Sequence, residues 1–426
     1  MKLKVYIETY GCAANKADSN IMRSLLLNRG HIIADTIDNA DIVILNTCTV
    51  RGETERKIVK RIRELEELRK ERKFKLIISG CMVKAQPALI SSITKDASLV
   101  APQFTEEIVE VVESKEKIIK INGEHIQRKI LPVYIGGLQY TVPIAEGCLG
   151  NCSYCIVKIA RGKLRSFKLN QIVNAVKNAV AKGAKEIRLT AQDTAAYGCD
   201  IGTTLPELVS KITEIPGDFM IRIGMMTPNH ALRILDELIE VYENEKVYKF
   251  LHLPLQSGDN RILKLMNRKY SVEEFKEIVY KFRGKYPELF LATDVIVGFP
   301  TESEEAFNNT CKVIMETQPD KIHISRFSPR PHTKAAAMPQ ILEPIKKKRS
   351  KIMTQLSFQI GLERNMKLIG KTRRVLPLER GKYESVKARL RNYKIVVIKE
   401  PKIKLGEWVK IKITGATPIQ LEGKII

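Results

Sequence analysis

The chain has 426 residues, 44% of them hydrophobic, and its 72 Lys and Arg against 48 Asp and Glu give a formal charge of +24. This length and apolar content imply two or three packed domains and exclude disorder on a large scale. The charge points to a polyanionic partner, most simply nucleic acid. No apolar run reaches the roughly 20 residues that a bilayer crossing needs, and no charged-then-apolar leader opens the chain. A cytoplasmic protein without membrane association is expected, in which eight cysteines serve metal or catalytic chemistry.

Residues 1–130 repeat one pattern three times. Apolar runs Lys4 to Thr9, Asp41 to Asn46 and Lys75 to Ser79 each end in a short turn and a cysteine: Cys12, Cys48 and Cys81. Helical segments Lys16 to Asn28 and Glu53 to Arg72 separate them. Strand, helix, strand, helix, strand predicts a parallel βαβ sheet with right-handed crossovers. Loops beyond the carboxyl ends of its strands gather on one edge, where ligands bind. The three cysteines therefore converge as one site, the alternative for any single one being a buried, inert thiol. Ile118 to Ile121 and Ile130 to Tyr134 read as short extended runs closing this domain, and Gly136-Gly137 as the punctuation after it.

A second domain, 139–365, holds six further extended runs: Thr141 to Glu146, Glu186 to Ala191, Phe219 to Gly224, Phe250 to Leu255, Ala292 to Val297 and Lys321 to Phe327. Helical segments lie between them, one opened by the capping-box pattern Ser271-Val272-Glu273-Glu274. Six βα units are too few for a closed eight-fold barrel, so an open, partial (β/α)6 barrel is predicted, with its site at the carboxyl ends of the strands. A basic helix from Pro344 to about Met366 follows, with apolar positions at Ile345, Ile352, Leu356, Ile360 and Met366 and its charges read as solvated.

The first of the six runs leads into Cys148, Cys152 and Cys155, a C-x3-C-x2-C spacing. Three thiolates leave structural zinc one ligand short of its tetrahedron. A four-iron cluster tolerates the shortfall, because each thiolate binds one iron and the fourth stays open. A zinc knuckle with a distant fourth ligand, or plain structural cysteines, are the other readings. Cys199 and Cys311 lack partners at useful spacing and read as core or incidental, and Arg161 as a salt-bridged surface residue or a ligand contact.

The last segment, 366–426, carries 16 Lys and Arg against 5 Asp and Glu. Its five short basic strands predict a small β-barrel of the kind that binds RNA. Lys387, Arg389 and Arg391 alternate along one strand, and Arg373, Arg374, Tyr383 and Tyr393 add charge and stacking surface.

The Cys148 to Cys155 stretch resembles the cluster motif of the radical S-adenosylmethionine (SAM) enzymes, and the tail is similar to a TRAM domain. With Tyr10-Gly11-Cys12, Asn46-Thr47-Cys48 and Gly80-Cys81, the whole chain resembles the radical SAM methylthiotransferases. The resemblance implies two [4Fe-4S] clusters. One, on Cys148, Cys152 and Cys155, binds and cleaves SAM. The other, on Cys12, Cys48 and Cys81, carries the sulfur, and two SAM molecules are consumed per turnover. It also implies that Tyr154, Gln192, Gly298 and Glu302 contact SAM, the last two within the family's fifth-strand pattern Asp294 to Glu302.

The run through Lys158-Ile159-Ala160-Arg161-Gly162 looks most like the archaeal and eukaryotic threonylcarbamoyladenosine branch. The expected partners are then the anticodon stem-loop of tRNA, modified at position 37, and a low-potential electron donor, with the enzyme a monomer. Isopentenyladenosine and a ribosomal-protein aspartate are the substrates of neighbouring branches. A reading of another class is a non-enzymatic RNA-binding protein with structural metal.

Overall fold

The structure is a computed structural model and describes residues 2–123 and 130–426. Strands β1 (Lys4–Thr9), β2 (Ile32–Ile33), β3 (Ile42–Thr47), β4 (Lys75–Gly80), β5 (Ser98–Val100) and β6 (Ile119–Lys120) form one parallel sheet in the order β2-β1-β3-β4-β5-β6. All six residues of β3 are buried, as a central strand covered on both faces requires. Alternate side chains of β3 face opposite ways. Val43 and Leu45 meet Ile58, Ile62 and Leu65 of helix α2 (Gly52–Glu71), whereas Ile42 and Ile44 meet Met22 and Leu26 of α1 (Ala13–Asn28). The expected extended run Ile130 to Tyr134 forms no strand. Pro132 has no N–H to give a ladder, and its carbonyl instead accepts from the Tyr140 hydroxyl while Leu131 and Tyr134 pack into the next domain's core.

That domain begins at β7 (Gln139–Pro143), which runs into a short antiparallel pair, β8 (Ala145–Glu146) and β9 (Arg165–Ser166). β10 (Glu186–Thr190), β11 (Met220–Ile223), β12 (Phe250–His252), β13 (Phe290–Val297) and β14 (Lys321–Arg326) complete two parallel three-stranded sheets, β7-β10-β11 and β12-β13-β14. Parallel bridges Ile221 to Val247 and Met225 to His252 join them. Among the described residues β7 and β14 do not pair, so the six strands make an open barrel. The capping box of Ser271 and Glu274 forms as its sequence implies, and the helix Val272–Lys285 buries Phe275, Ile278, Val279 and Phe282.

The basic helix, Glu343–Met366, corrects the sequence reading of its charges. Ile345, Ile352 and Met366 are exposed, whereas Lys346 and Arg349 are buried. Their partners lie in the barrel: Arg349 Nη1 donates to Glu302 Oε2 at 2.7 Å, and Lys346 Nζ to the Phe327 carbonyl at 3.1 Å. A paired charge can be buried where a solitary one cannot.

The tail forms a closed barrel of β15 (Thr372–Arg380), β16 (Val386–Arg389), β17 (Ile395–Ile398), β18 (Val409–Ala416) and β19 (Leu421–Ile425), in the order β15-β16-β17-β19-β18. It docks on the rim where the strands of the larger barrel begin. Trp408 Nε1 donates to Asp218 (3.2 Å), Arg391 to the Glu245 carbonyl (2.9 Å) and Asn392 to the Glu288 carbonyl (3.0 Å). These acceptors precede β11, β12 and β13. Just before β14, Asp320 is fully covered and accepts from Lys394 (2.5 Å) and Arg364 (2.8 Å). Between these polar pegs Leu376, Leu378 and Tyr393 pack against Met220, Tyr248 and Phe250. No helix among the described residues is long and apolar enough to cross a membrane.

Burial alone would raise the Asp320 carboxyl, but Lys394 and Arg364 outweigh it and hold the pKa below the usual carboxylate value. Its contribution to stability is therefore present at neutral pH and lost as the pH falls through the acid range. Replacing Asp320 with Ala takes the shared carboxylate from buried Lys394 and half-buried Arg364. We expect a loss of about 3–5 kcal/mol, seen as a lower thermal midpoint and faster proteolysis at the tail junction.

Candidate metal centre

Each N-terminal cysteine stands just beyond a strand: Cys12 after β1, Cys48 after β3 and Cys81 after β4. The parallel register aligns these three strand ends, Thr9 beside Asn46 and Thr47 beside Gly80. Gly11, at φ +110°, permits the convergence, since a Cβ there would lie 2.6 Å from Cys48 Cβ and 3.0 Å from its sulfur. Asn15, one turn into α1, stands among the thiols: its Oδ1 lies 3.5 Å from Cys12 Sγ and 3.9 Å from Cys81 Sγ. Its amide group is fixed by the Thr47 carbonyl at 2.7 Å and by Asn46 Oδ1 at 3.2 Å. Cys48 and Cys81 are buried and Cys12 is exposed, so the site opens on one side.

The second triad sits on a loop whose base is closed by the β8–β9 pair. Gly147, at φ +73°, brings the two sides of that base together; a Cβ would fall 1.9 Å from the Lys163 carbonyl oxygen. The Cys148 N–H then donates to the Gly162 carbonyl at 3.2 Å. Inside the loop the Gly150 N–H points at Cys148 Sγ (3.2 Å), and Arg268 Nη1 at Cys152 Sγ (3.1 Å). Burial pushes the Cys81 and Cys155 thiols up to about 12. Left to themselves these groups stay protonated at neutral pH, and metal ligation is what makes such a thiol a thiolate.

The donor set fits iron–sulfur clusters. Each triad offers three sulfurs, and each is backed by N–H donors of the kind that tune cluster sulfurs. At the second triad one donor is held in reserve: Arg268 Nη2 is buried and without a partner.

One residue ties the two triads together. Arg161, six positions past Cys155, is only 2% exposed. Its Nε donates to Cys81 Sγ at 3.2 Å, its Nη2 to Asp18 Oδ2 at 2.6 Å and to Asn15 Oδ1 at 3.4 Å, and its Nη1 to Glu146 Oε1 at 3.5 Å. Burial opposes the guanidinium charge, yet Asp18, Cys81 and Glu146 together raise its pKa well above the ordinary value. The surface-pair reading of Arg161 is thereby corrected, for it joins one domain to the other. Beside it Cys81 and Ala85 of α3 (Cys81–Ala85) pack on Ile156 and Ala160. A second peg comes from Arg330, beyond β14, which donates to the Thr49 carbonyl (3.1 Å) and to Glu55 (2.8 Å).

The other expected contacts are placed unevenly. Gln192 follows β10 at the mouth, with its Oε1 buried and unpartnered. Tyr154 meets Phe299 edge to face at 6.3 Å, in a cluster with Phe327 and Ala335. Glu302 is committed internally, accepting from the Gly298 N–H at 2.7 Å and from Arg349. The space beside Gly298 is filled by Lys346, whose Cγ would lie 2.4 Å from an added Cβ.

In the tail, Arg373 pairs with Glu288 and Arg391 with Glu245, so both serve docking. Arg389 stacks over Tyr393 at 4.3 Å, and Tyr393 is packed against Phe250 and is no open stacking surface. Lys387 stands opposite Glu379 (3.6 Å), Arg374 lies over Trp408 (5.8 Å), and Tyr383 is 95% exposed. The sequence reading missed Lys410, Lys412 and Lys424. They are exposed, and the pairings Arg374 to Lys410 and Lys412 to Lys424 gather them on one outer face. Their alternation with buried Ile411 and Ile413 was the available signal. Asn15 and Asp18 were missed too, though each lies one i+3 step along α1 from the last, Cys12 to Asn15 and Asn15 to Asp18.

Residues 4–102 match the Uncharacterized protein family UPF0004, 142–314 the Radical SAM superfamily, and 367–426 the TRAM domain. A curated relative from Pyrococcus horikoshii, named a probable threonylcarbamoyladenosine tRNA methylthiotransferase, is 44% identical over 431 residues and covers 100% of both chains. One from Xenopus laevis, named threonylcarbamoyladenosine tRNA methylthiotransferase, is 34% identical and covers 99% of this chain and 77% of its own. Among solved structures, the radical SAM methyltransferase TsrM from Kitasatospora setae matches 79% of this chain and 75% of its own, at a TM-score of 0.59 and 13% identity, a likeness of fold.

Replacing Arg161 with Ala removes the guanidinium that Asp18, Glu146 and Cys81 share. A loss of about 3–5 kcal/mol is expected, with faster hydrogen exchange in α3. The double replacement of Arg161 by Gln and Asp18 by Asn should cost less than the two single changes added together, because the two side chains are in direct contact.

Proposed function

The chain belongs to the threonylcarbamoyladenosine tRNA methylthiotransferase family, and we propose that its two three-cysteine sites hold two [4Fe-4S] clusters that act on one nucleotide between them. The enzyme converts N6-threonylcarbamoyladenosine in tRNA to its 2-methylthio derivative. The observation that carries the two-cluster reading is the contact of Arg161, on the Cys148–Cys155 side, with Cys81 Sγ on the other. When bound, the clusters and two SAM molecules per turnover supply the hydrogen abstraction at adenine C2, the sulfur and the methyl group.

The chain's own residues provide position and exclusion. Cys148, Cys152 and Cys155 hold the SAM-cleaving cluster, and Cys12, Cys48 and Cys81 the sulfur-carrying one. Arg268 and the Gly150 N–H would donate to sulfurs of the first, and Arg161 to a sulfur of the second. Gln192 offers a buried acceptor toward SAM, and Tyr154 closes the side of the site lined by Phe299. Glu302 and Gly298 act indirectly, by fixing the end of β13. An external low-potential donor reduces the first cluster, and one chain suffices for every role named.

The nucleotide acted on is position 37 of the anticodon loop, and the tail grips the RNA through Lys410, Lys412 and Lys424, with Arg374 at the edge of the docking face over Trp408. Reversing the three lysines to Glu should weaken tRNA binding and flatten its salt dependence, measured by titration at several salt concentrations. Replacing Arg391 should instead loosen the tail while leaving that slope intact.

For the clusters, anaerobic reconstitution should give about eight irons per chain, four per cluster. Cys152→Ala should abolish deoxyadenosine formation. Cys48→Ala should retain SAM cleavage and lose methylthiolation, read by mass spectrometry of tRNA nucleosides. Full methylthiolation by the Cys48 variant would sink the two-cluster reading.

A further inference from the structure

Inside the barrel, alternate residues of the strands turn away from the surrounding helices. Phe250 and Phe290 fill the end next to the tail, packed with Tyr393. One layer nearer the mouth the lining becomes polar. His252 Nε2 lies 2.9 Å from Asp294 Oδ2, His323 is the register partner of Asp294, and the two imidazoles are 5.3 Å apart. The Asp294 side chain is 27% exposed, so the cluster can be reached from the mouth.

Beside the end of β14, the strand that carries His323, runs the segment of Arg51, three residues beyond Cys48. The segment that carries it is pinned on both sides. Arg330 holds the Thr49 carbonyl, and Gly52 lies so close to Ser328 that an added Cβ would come within 2.7 Å of its Oγ. Arg51 is exposed, and among the described residues its guanidinium makes no hydrogen bond or ion pair. It is near enough to Asp294 and His323 for its charge to lower the pKa of both, although burial is the larger influence on each.

The donor atoms of His252, Asp294 and His323 lie within 4.8 Å of one another, a composition that could hold a divalent cation. The surroundings argue otherwise. Asp294 is the cluster's one carboxylate, and Arg51 and Lys321 add two positive charges around it. A layer with one carboxylate and a free guanidinium suits a ligand that is itself bipolar. The threonylcarbamoyl group is such a ligand: a carboxylate and a hydroxyl on a ureido link that carries N–H donors. An isopentenyl chain would find there polar groups that it cannot pair.

Resting on the activity stated above, the geometry points to Arg51 and the His252–Asp294–His323 layer as the subsite for the threonylcarbamoyl side chain. Arg51 takes its carboxylate, and Asp294, oriented by His252, accepts from its ureido N–H groups. The subsite lies between the Cys48 loop and the barrel interior, so holding the N6 substituent there turns the adenine edge bearing C2 toward the cysteine sites. Sites built to hydrogen-bond a substrate group reject the analogue that lacks it. Arg51 and Asp294 are thus specificity-determining for the reaction.

The test uses reconstituted full-length enzyme and two anticodon stem-loop RNAs, identical except that the threonyl carboxylate is free in one and converted to its primary amide in the other. Wild-type enzyme should prefer the free acid in kcat/KM by about 10- to 100-fold, the range for a charge-assisted contact. In Arg51→Ala that preference should collapse through a fall on the acid alone, and Arg51→Lys should restore part of it. Asp294→Asn should lower kcat/KM for both RNAs and keep the preference. An undiminished preference in Arg51→Ala, or an equal fall on both RNAs at unchanged iron content, would overturn the subsite. Failure of wild-type enzyme to methylthiolate even the free acid would overturn the activity itself, and the subsite with it.

Discussion

The buried pair of Arg161 and Asp18 is the joint on which the arrangement of the two cysteine sites depends. Taking both charges out of water costs several kcal/mol per ion, and well-packed apolar residues of the same volume would often hold two domains as firmly. What an apolar pair could not do is aim an N–H at Cys81. The guanidinium is a planar fork with five donors in fixed directions. Anchored by Asp18 and Glu146, it presents Nε to the Cys81 sulfur. The cost of burial therefore sustains a geometry in addition to a contact. Arg330 repeats the device on the Cys48 loop, and two pegs on separate loops resist rotation of the N-terminal sheet about either one.

Charge is used differently at each level of the chain. Of the residues that make the sequence basic, Arg161, Lys346, Arg349 and Lys394 are buried, each against a named carboxylate or carbonyl. Arg373 and Arg391 sit at the docking seam. Lys410, Lys412 and Lys424 remain exposed to solvent. The net charge identified the class of partner correctly. It could not identify the surface, because a formal count does not distinguish an internal counter-ion from a solvated one.

The same distinction explains what could be read from the sequence. The strands before Cys12, Cys48 and Cys81, the six strands of the open barrel and the five of the tail all follow from local pattern and turn chemistry. Convergence of the three N-terminal cysteines was legible because parallel topology puts strand ends on one edge. Arg161, Arg268 and Arg330 were not legible as contacts, since each acts on a residue of another segment: Cys81, Cys152 and Glu55. The basic helix was misread in its first turns, where Lys346 and Arg349 point inward toward partners a single sequence does not announce, whereas Leu356 and Ile360 pack as their pattern implies. The Ile130 to Tyr134 run was misread through overlooking Pro132, which cannot join a ladder.

The two ends of the barrel also divide the work. Every acceptor that receives the tail precedes a strand, and every candidate cysteine ligand follows one. The eight residues of β13 make a length of about 26 Å between those ends, at roughly 3.3 Å per residue. The tail barrel closes the far end with Tyr393, Leu376 and Leu378, and the mouth at the other end faces the loops of Cys12, Cys48 and Cys81. On the proposed function, the basic outer face of the tail would hold a part of the RNA other than the reacting base, and affinity and base placement would fall to different ends of the barrel. The polar layer of His252, Asp294 and His323 lies between them, above the apolar plug and below the sulfur site.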